Sequence, residues 1–504
     1  MLPHEPRTSH VEYEHEHEYE HVFMPTRSLA NDVLLSELAD IVGADDVTAR
    51  DVDRLAYAQD YFWLGQMWMD RGEEPCRPDF IAYPESTEEV SRLLKVATRH
   101  RIPVIPYGGG SGTKGGVIPL YGGLVIDVKK MNRVVRVDEQ SLTVAVQAGI
   151  NCTHLEEELN RRGLTLPHYP ASAAVASIGG CIAARGTGTI STKYGKAEDM
   201  VVGIEAVLAS GEVLRTLPTP NHACGPGILQ LFVGSEGTLG VITEVTMKID
   251  PLPPVRRFRG YLFENLENAL EAGRRIMTRR LRPCTLRLYD PPSTQHFIKR
   301  VLGLEVEGSF LITGCDGEPA FVDLEEKLVH EICTGLGAKD VGREAGEQWW
   351  AHRYDFYYPP FTPMLPKMFG TIESTTTFDR IHGLYLAKKK AIEEGFQSWN
   401  AHYTAHFSHW YPWGVMVYDR FYIDKPPQDA REALLLHNKV WAAAARTSLA
   451  SGGTLNDHHG IGLKLGWLMP EQYGGAWKAL SAIKDALDPL GIMNPGKLGF
   501  GAPK

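Results

Sequence analysis

The sequence has few cysteines, and none has the spacing of a metal site or a redox motif. Seven cysteines are scattered over 504 residues, and no two of them form a C-x-x-C pair. An odd number of dispersed cysteines argues against a disulfide framework and against a structural zinc site. We therefore expect buried, reduced thiols, as in the cytoplasm.

Three further absences exclude classes of function. The net charge is −10, so the basic surplus that a nucleic-acid partner requires is missing. No apolar run approaches the roughly 18–20 residues that span a bilayer. The first residues lack the basic-then-apolar order of a secretory signal. These features predict a cytoplasmic globular protein of two or three domains, with no transmembrane segment and no nucleic-acid partner.

The first 77 residues divide into two parts. Residues 1–25 form a polar segment in which histidine and glutamate alternate between Glu12 and His21. This composition predicts a disordered, solvated tail, although it could also chelate a metal loosely. Residues 26–77 are predicted to form an N-terminal helical segment, with an amphipathic helix over Leu29–Val42.

What the sequence has in abundance is glycine, and three glycine-rich turns fall between Val104 and Asp250. Glycine lets main-chain N–H groups approach phosphates and tolerates positive φ. Three such turns, each beside a short β-branched run, predict one ligand held by all three. The expected contacts are Pro106, Tyr107, Gly108, Gly109, Gly110, Ser111, Gly112, Thr113, Pro170, Ala171, Ser172, Ser177, Ile178, Gly180, Cys181, Ala183, Glu236, Gly240, Val241 and Ile242.

The first turn is not a dinucleotide-binding turn of the G-x-G-x-x-G kind. Gly108-Gly109-Gly110 leads to a strand at Gly123–Asp127 rather than to a helix, which counts against a Rossmann fold. The strand-helix-strand pattern from Phe80 to Pro106 predicts a parallel pair of strands. The ligand is then expected at the carboxyl end of the second strand.

The three turns resemble the FAD-binding domain of the vanillyl-alcohol oxidase/p-cresol methylhydroxylase (PCMH) superfamily. The segment Gly234-Ser-Glu-Gly-Thr-Leu-Gly240 carries much of this resemblance, and Asp488–Lys497 resembles the C-terminal signature of FAD-linked oxidases. From Asp79 to Leu498 the chain is most similar to the branch that contains alkylglycerone-phosphate synthases and FAD-linked D-lactate dehydrogenases.

The resemblance implies an α+β protein with three parts. A PCMH-type FAD-binding domain of two α+β subdomains is expected at 78–252, and an α+β cap (substrate) domain at 253–455. Prolines in Pro251–Pro254 mark the boundary between them. The C-terminal segment, 456–504, is expected to return to the FAD domain, where Asn494 and Lys497 would contact the cofactor.

The resemblance also implies the ligands. FAD is expected to bind without a covalent link, because Gly109–Gly112 lacks the histidine that berberine-bridge-type relatives carry in this turn. A small-molecule substrate and an electron acceptor, oxygen or another, are the expected partners. A homodimer is a further expectation, since relatives are often dimers.

Arg353 is the first candidate for substrate binding. It follows Trp349 and Trp350, and a guanidinium fork in an aromatic setting suits a carboxylate or a phosphate. Relatives have a substrate-anion arginine at a matching point, although Arg353 could instead pair structurally with Asp355. Arg287, Trp350 and His409 complete the predicted substrate contacts.

Tyr418, Asp457, His458 and His459, together with Arg353, form the predicted catalytic set. Tyr418 lies in a predicted strand and matches the acid/base tyrosine of alkylglycerone-phosphate synthases. Those enzymes carry three histidines where this chain has Asp457-His458-His459, on a turn between glycine pairs. Asp457 would either disfavour an anionic substrate or hold a neighbouring histidine as a base. No metal is predicted, because the residues that flank the histidines in lactate dehydrogenases are missing.

The leading hypothesis is an FAD-dependent oxidoreductase. It would transfer a hydride from the carbon of an alcohol or 2-hydroxy acid, aromatic substrates included, to flavin N5. One alternative is an alkylglycerone-phosphate synthase, which makes an ether-lipid precursor without net oxidation. Another is a non-catalytic FAD-binding protein.

Overall fold

The computed structural model describes residues 32–73, 76–357 and 365–504. The polar tail at 1–25 lies outside these residues, as does the start of the helix expected from Leu29. The rest of that helix is present and ends at Val42 as predicted. No helix in the described ranges is both long and apolar enough to cross a bilayer.

The first subdomain is a four-stranded sheet in the order β1-β2-β4-β3. Its elements are α1 (Asp32–Val42), β1 (Val47–Thr48), α2 (Asp51–Ala56), α3 (Trp63–Asp70), β2 (Phe80–Ala82), α4 (Thr87–His100), β3 (Val104–Tyr107) and β4 (Leu124–Asp127). β2 and β3 are parallel, as predicted, but they do not pair directly, because β4 lies between them and is parallel to both. The first glycine turn does leave the carboxyl end of β3, as expected.

The second subdomain is a five-stranded antiparallel sheet in the order β5-β6-β10-β8-β9. Alternate residues of its strands, such as Val144 and Val146, are buried in one core with the helices. Its elements are β5 (Val134–Asp138), β6 (Thr143–Gln147), α5 (Cys152–Asn160), β7 (Leu164–Thr165), α6 (Ile178–Ala183), α7 (Ser191–Tyr194), α8 (Ala197–Met200), β8 (Val201–Val207), β9 (Val213–Arg215), α9 (Leu229–Phe232) and β10 (Val241–Lys248).

The cap is built on a seven-stranded antiparallel sheet in the order β15-β12-β14-β13-β17-β18-β16. A short strand, β11 (Asp250–Pro251), pairs with β7 just before it. The cap elements are β12 (Val255–Phe263), α10 (Leu266–Thr278), β13 (Thr285–Tyr289), α11 (Pro291–Ser293), α12 (Lys299–Leu302), β14 (Ser309–Gly317), α13 (Pro319–Gly335), β15 (Lys339–Gly342), α14 (Arg343–Ala351), β16 (Met368–Thr377), α15 (Ile381–Glu393), β17 (His402–Tyr411), β18 (Gly414–Ile423) and α16 (Ala430–Ala450).

Strand periodicity gives the two faces of the cap sheet different surroundings. Leu288 and Phe407 point into the apolar core beneath the helices, whereas Tyr289 and His406 point to the opposite face. On that opposite face, α14 covers β12 and β14 at one end of the sheet. On the same face, the other end of the sheet, formed by β17, β18 and β16, is therefore available to form a binding site.

The C-terminal segment contains α17 (Met469–Tyr473) and α18 (Ala476–Leu487) and returns to the FAD-binding domain. The main-chain N–H of Val104 donates to Ile492 O at 2.8 Å, and that of Asn494 donates to Val104 O at 2.8 Å. The buried ammonium of Lys484 also donates to Thr238 O at 2.7 Å. The α+β architecture with a returning tail, expected from the sequence, is confirmed.

Candidate active site

A cavity of about 540 Å³ lies between the glycine turns and the cap sheet. Every predicted cofactor contact from the three turns lines this cavity, with the exception of Ile178. Ile178 is instead buried in the apolar core of the second subdomain, because α6 turns that side chain away from the wall.

Glycine is required where the first two turns meet. A Cβ atom at Gly109 would lie 1.9 Å from Val175 O, and one at Gly108 would lie 2.3 Å from the Ser177 hydroxyl. The absence of side chains lets the turns pack together and leaves their main chain facing the cavity. Asp60 also lines the wall, and among the described residues its buried Oδ2 atom has no hydrogen-bond partner. A polar ligand along this wall, such as FAD, fits both features.

Asn494 and Lys497, predicted to contact the cofactor, lie behind the first turn rather than on the cavity wall. Asn494 donates from Nδ2 to Gly116 O at 2.9 Å and to Glu236 O at 2.6 Å. The Lys497 ammonium is fully buried and donates to Ile118 O at 2.7 Å. Burial lowers the pKa of Lys497 to about 8. These side chains hold the shape of the cofactor loop from outside.

On the cap side, His406, Tyr418 and Glu373 form a row across three neighbouring strands. His406 of β17 is opposite Tyr418 of β18, which is opposite Glu373 of β16. Their side chains share the face of the sheet that borders the cavity. The rings of His406 and Tyr418 stack with centroids 4.5 Å apart.

His406 is held in a defined protonation state. Arg287 approaches it with Nη2 at 2.8 Å from Nε2, and a guanidinium offers donors only, so this ring nitrogen accepts. Burial, followed by the positive charge of Arg287, holds the pKa of His406 well below its usual range. His406 is therefore a neutral part of the wall.

A β-bulge brings both Ser408 and His409 to the cavity. The pairing of β17 with β18 shifts between Phe407 and Trp410, which inserts one residue and turns two consecutive side chains to the same side. The Nδ1 atom of His409 contacts the hydroxyls of Thr187, at 3.0 Å, and Ser191. Burial lowers its pKa well below the usual value.

His459 and Glu373 form what we call the His459 pair, and Lys114 lies beside it. His459 Nδ1 lies 2.6 Å from Oε1 of the fully buried Glu373, and the Lys114 ammonium lies 3.4 Å from the same oxygen. Burial opposes ionisation of Glu373, but its contact with His459 and the charge of Lys114 outweigh burial and hold the pKa of this carboxyl below its usual range. Burial lowers the pKa of His459 to about 4.

His458 and Asp457 form a second unit, the His458 pair, and Lys196 lies beside it. His458 Nδ1 lies 3.0 Å from Asp457 Oδ2, and Lys196 donates to Asp457 O at 2.7 Å. The hydroxyls of Thr375 and Tyr411 donate to Asp457 Oδ1 at 2.7 and 3.1 Å. Burial disfavours the charge of Asp457, but Lys196 and then His458 hold its pKa well below the usual range.

Asp457 does not line the cavity, although both histidines do. The ligand atoms of His409, Asp457 and His458 lie within 4.8 Å of one another, a separation that could hold a metal ion. The Lys196 ammonium, 3.5 Å from Asp457 Oδ1, already supplies a positive charge there. The absence of a resident metal stays a prediction.

Arg353 and Trp350 are not placed where the sequence suggested. Neither belongs to the cavity wall formed by the described residues. Trp350 stacks on Phe258, and Arg353 lies 3.8 Å above the Trp350 ring. The reason is that α14 covers the opposite end of the cap sheet from β17, β18 and β16. Arg420, which sequence analysis missed, lines the cavity together with Arg287.

Glu373, Lys114, Lys196 and Asp60 were also missed. Glu373 is the only acid in the threonine-rich strand β16, and an acid flanked by residues of a buried strand is itself a signal of a partnered charge. The lysines offered no such signal.

Comparison with known proteins also indicates an FAD-binding protein. Residues 78–217 match the family described as FAD binding domain, and residues 252–498 match FAD linked oxidases, C-terminal domain. An alkyldihydroxyacetonephosphate synthase of Trypanosoma brucei brucei is 30% identical over 90% of this chain and 79% of its own length. The uncharacterized FAD-linked oxidoreductase YgcU of Escherichia coli (strain K12) is 31% identical over 94% of this chain and 99% of its own.

A solved structure of an alkyldihydroxyacetonephosphate synthase has a TM-score of 0.78 and 25% identity, covering 94% of this chain and 86% of that chain. The chain therefore belongs to the family of FAD-linked oxidases with a PCMH-type FAD-binding domain. Its cofactor is FAD, as the sequence predicted.

Proposed function

We propose that the protein is an FAD-dependent oxidoreductase that oxidises an alcohol or a 2-hydroxy acid. FAD, held without a covalent link along the three glycine turns, supplies the acceptor for a hydride at N5. The chain's own residues then have two tasks, to remove the hydroxyl proton and to orient the substrate. The His459 pair carries the proposal.

The His459 pair is suited to accept the proton. An ionised carboxylate has no proton to donate, so His459 Nδ1–H donates to Glu373 at 2.6 Å. Nε2 is then the acceptor nitrogen of a ring that borders the cavity. Because burial lowers the pKa of His459 to about 4, the ring is neutral at pH 7. When Nε2 takes up a proton, the adjacent Glu373 carboxylate stabilises the imidazolium.

Two arginines support an anionic or polar substrate. Arg287 and Arg420 both line the cavity, and the Arg420 guanidinium lies 5.2 Å from the Tyr418 ring centroid. Tyr418 lies between them and the histidine turn, with its ring 5.5 Å from that of His459. A carboxylate held by these guanidinium groups would place the adjacent hydroxyl near Tyr418 and His459.

An alkylglycerone-phosphate synthase is the second candidate, and one observation favours it. The argument against it was that the Asp457 carboxylate would repel an anionic substrate. Asp457 lies behind His458, and Lys196 compensates its charge, so that repulsion is weakened. Similarity to the synthases over most of the chain is consistent with this alternative.

The test is anaerobic mixing of the yellow full-length protein with a substrate panel, followed through flavin absorbance. The panel contains D-lactate, glycolate, D-2-hydroxyglutarate, vanillyl alcohol and acylated dihydroxyacetone phosphate. We expect one of the alcohols or hydroxy acids to bleach the flavin, and we expect His459→Ala to slow this step. Admitting air then shows whether oxygen re-oxidises the flavin. Release of a fatty acid from acylated dihydroxyacetone phosphate with no bleaching would replace this proposal by the synthase.

A further inference from the structure

Cys152 and Cys181 are in contact beneath the cofactor cavity. Their sulfur atoms lie 3.7 Å apart, and both side chains are buried. Cys152 begins α5 and Cys181 lies in α6, so the contact joins two segments that are 29 positions apart. Cys181 also lines the cavity.

The backbone holds the two thiols at this distance. Asn151 and Ser177, which precede the two helices, form an antiparallel bridge. The Cys152 N–H donates to Ala176 O at 3.0 Å, and a Cβ atom at Gly179 would lie 2.6 Å from the Ala148 Cβ. The helices therefore have little freedom to move apart, and the two sulfurs stay in contact.

The two thiols differ in reactivity. The contact with Cys152 lowers the pKa of Cys181 and outweighs burial. The same contact and burial raise the pKa of Cys152 well above the usual value. Since the thiolate is the nucleophile, Cys181 is the sulfur that attacks first. It is also the one that faces the cavity.

We propose that Cys152 and Cys181 are a thiol-oxidation site that hydrogen peroxide converts to a disulfide when FAD does not cover Cys181. Cys181 attacks one peroxide oxygen, the O–O bond breaks, and a sulfenic acid and water form. The Cys152 sulfur then attacks the Cys181 sulfur and displaces the second oxygen as water. Two thiols and one peroxide thus give one disulfide and two waters.

The disulfide has a consequence for the cofactor. A bonded pair of sulfurs lies about 2.05 Å apart, closer than the 3.7 Å of the thiols. Bringing them together displaces Cys181, whose helix also presents Gly180 to the cavity beside Ser177. Because Gly179 is packed against Ala148, this displacement is not absorbed locally. Oxidation is therefore expected to weaken FAD binding, and FAD to slow oxidation.

The experiment uses the full-length protein in a Cys224→Ser background, which removes the exposed thiol. The protein is treated with hydrogen peroxide at several FAD concentrations, alkylated, and mapped by peptide mass spectrometry. We expect one Cys152–Cys181 crosslink that dithiothreitol reverses. If only the FAD-free form reacts, FAD at 100 times its Kd slows crosslinking roughly 100-fold. Flavin fluorescence should show FAD release from the oxidised protein.

Two controls keep this result specific. Cys333 is buried in the cap core, and burial raises its pKa, so it should stay reduced throughout. Cys152→Ser should give no crosslink and should leave Cys181 as a sulfenic acid that dimedone traps. Crosslinking at a rate that FAD does not change, oxidation of Cys333 at the same rate, or irreversible oxidation of Cys181 without a crosslink would each overturn the proposal. If Cys152→Ser does not fold, the peptide map of the parent protein still shows whether the Cys152–Cys181 crosslink forms and whether FAD slows it.

Discussion

The His459 pair and the His458 pair use the same components in different surroundings. Each has a cavity-lining imidazole, a buried carboxylate and a lysine from the FAD-binding domain. Glu373 lies on β16, the strand at one edge of the cap sheet, and accepts from His459 at 2.6 Å. Asp457 accepts from His458 at 3.0 Å and from two hydroxyls besides. Glu373 also accepts from Asn456 at 2.6 Å, so both carboxylates have further partners. The shorter bond to Glu373 orients His459 more strongly, which makes it the better base.

The largest difference in the rate of flavin reduction should be between the variants of the two histidines. We expect His459→Ala to slow anaerobic flavin reduction by roughly 10²–10⁴-fold, the usual contribution of a general base. His458→Ala should cause a smaller loss. Rapid mixing with the substrate identified by the panel measures both.

His402→Ala is the matched control, since His402 is exposed at the start of β17 and away from the cavity. It should reduce the flavin at the rate of the parent protein. Equal losses in the His458 and His459 variants would mean that the two pairs do not differ as their geometry indicates.

The glycine turns of the site could be predicted from the sequence. The charged contacts between residues far apart in the chain could not. Glycine turns are local, so Pro106–Thr113 and Ser177–Ala183 were recognisable without any knowledge of their partners. Asp457 and His458 are adjacent in the chain, and an aspartate that holds one of the two histidines was one of the alternatives from the sequence. Glu373 and His459 are 86 positions apart, and only the packing of the histidine turn against β16 brings them together.

The position of Arg353, outside the cavity wall of the described residues, has the same origin. An arginine among tryptophans has the composition of an anion site, and composition does not tell which end of a sheet a helix covers. Arg287 and Arg420 lie on β13 and β18, whose inward faces border the cavity. Arg287 was among the predicted substrate contacts and Arg420 was not, and placing both at one cavity requires the strand order β13-β17-β18-β16, which depends on contacts between segments far apart in the sequence.

The second prediction replaces the two carboxylates by amides. A hydrogen bond to a charged group contributes about 1.5–3 kcal/mol, so Glu373→Gln should slow flavin reduction by roughly 10–100-fold. Asp457→Asn should have a smaller effect, because Thr375 and Tyr411 hold that position as well. Because Glu373 positions the base and does not line the cavity, kcat should fall more than KM rises. A change confined to KM would assign Glu373 to substrate binding instead.

The third prediction concerns pH. His459 acts when neutral, so activity is lost as pH falls through its pKa, which burial lowers to about 4. The acidic limb of kcat/KM should therefore lie well below the ordinary histidine value of about 6.5. The charge of Lys114 also lowers this pKa, so Lys114→Met should move the limb to higher pH. A limb that stays in place would show that Lys114 does not act on His459.

The smallest effect should come from Tyr411, whose hydroxyl donates to the Asp457 carboxylate of the His458 pair. Tyr411→Phe removes one donor to Asp457, at 3.1 Å, while Thr375, Lys196 and His458 continue to contact the carboxylate. A neutral hydrogen bond contributes about 0.5–1.5 kcal/mol to stability, so the denaturant midpoint should fall slightly. Flavin reduction should be nearly unchanged, because neither Tyr411 nor Asp457 borders the cavity. A loss of rate as large as that of Glu373→Gln would reverse the order of the two pairs and make His458 the base.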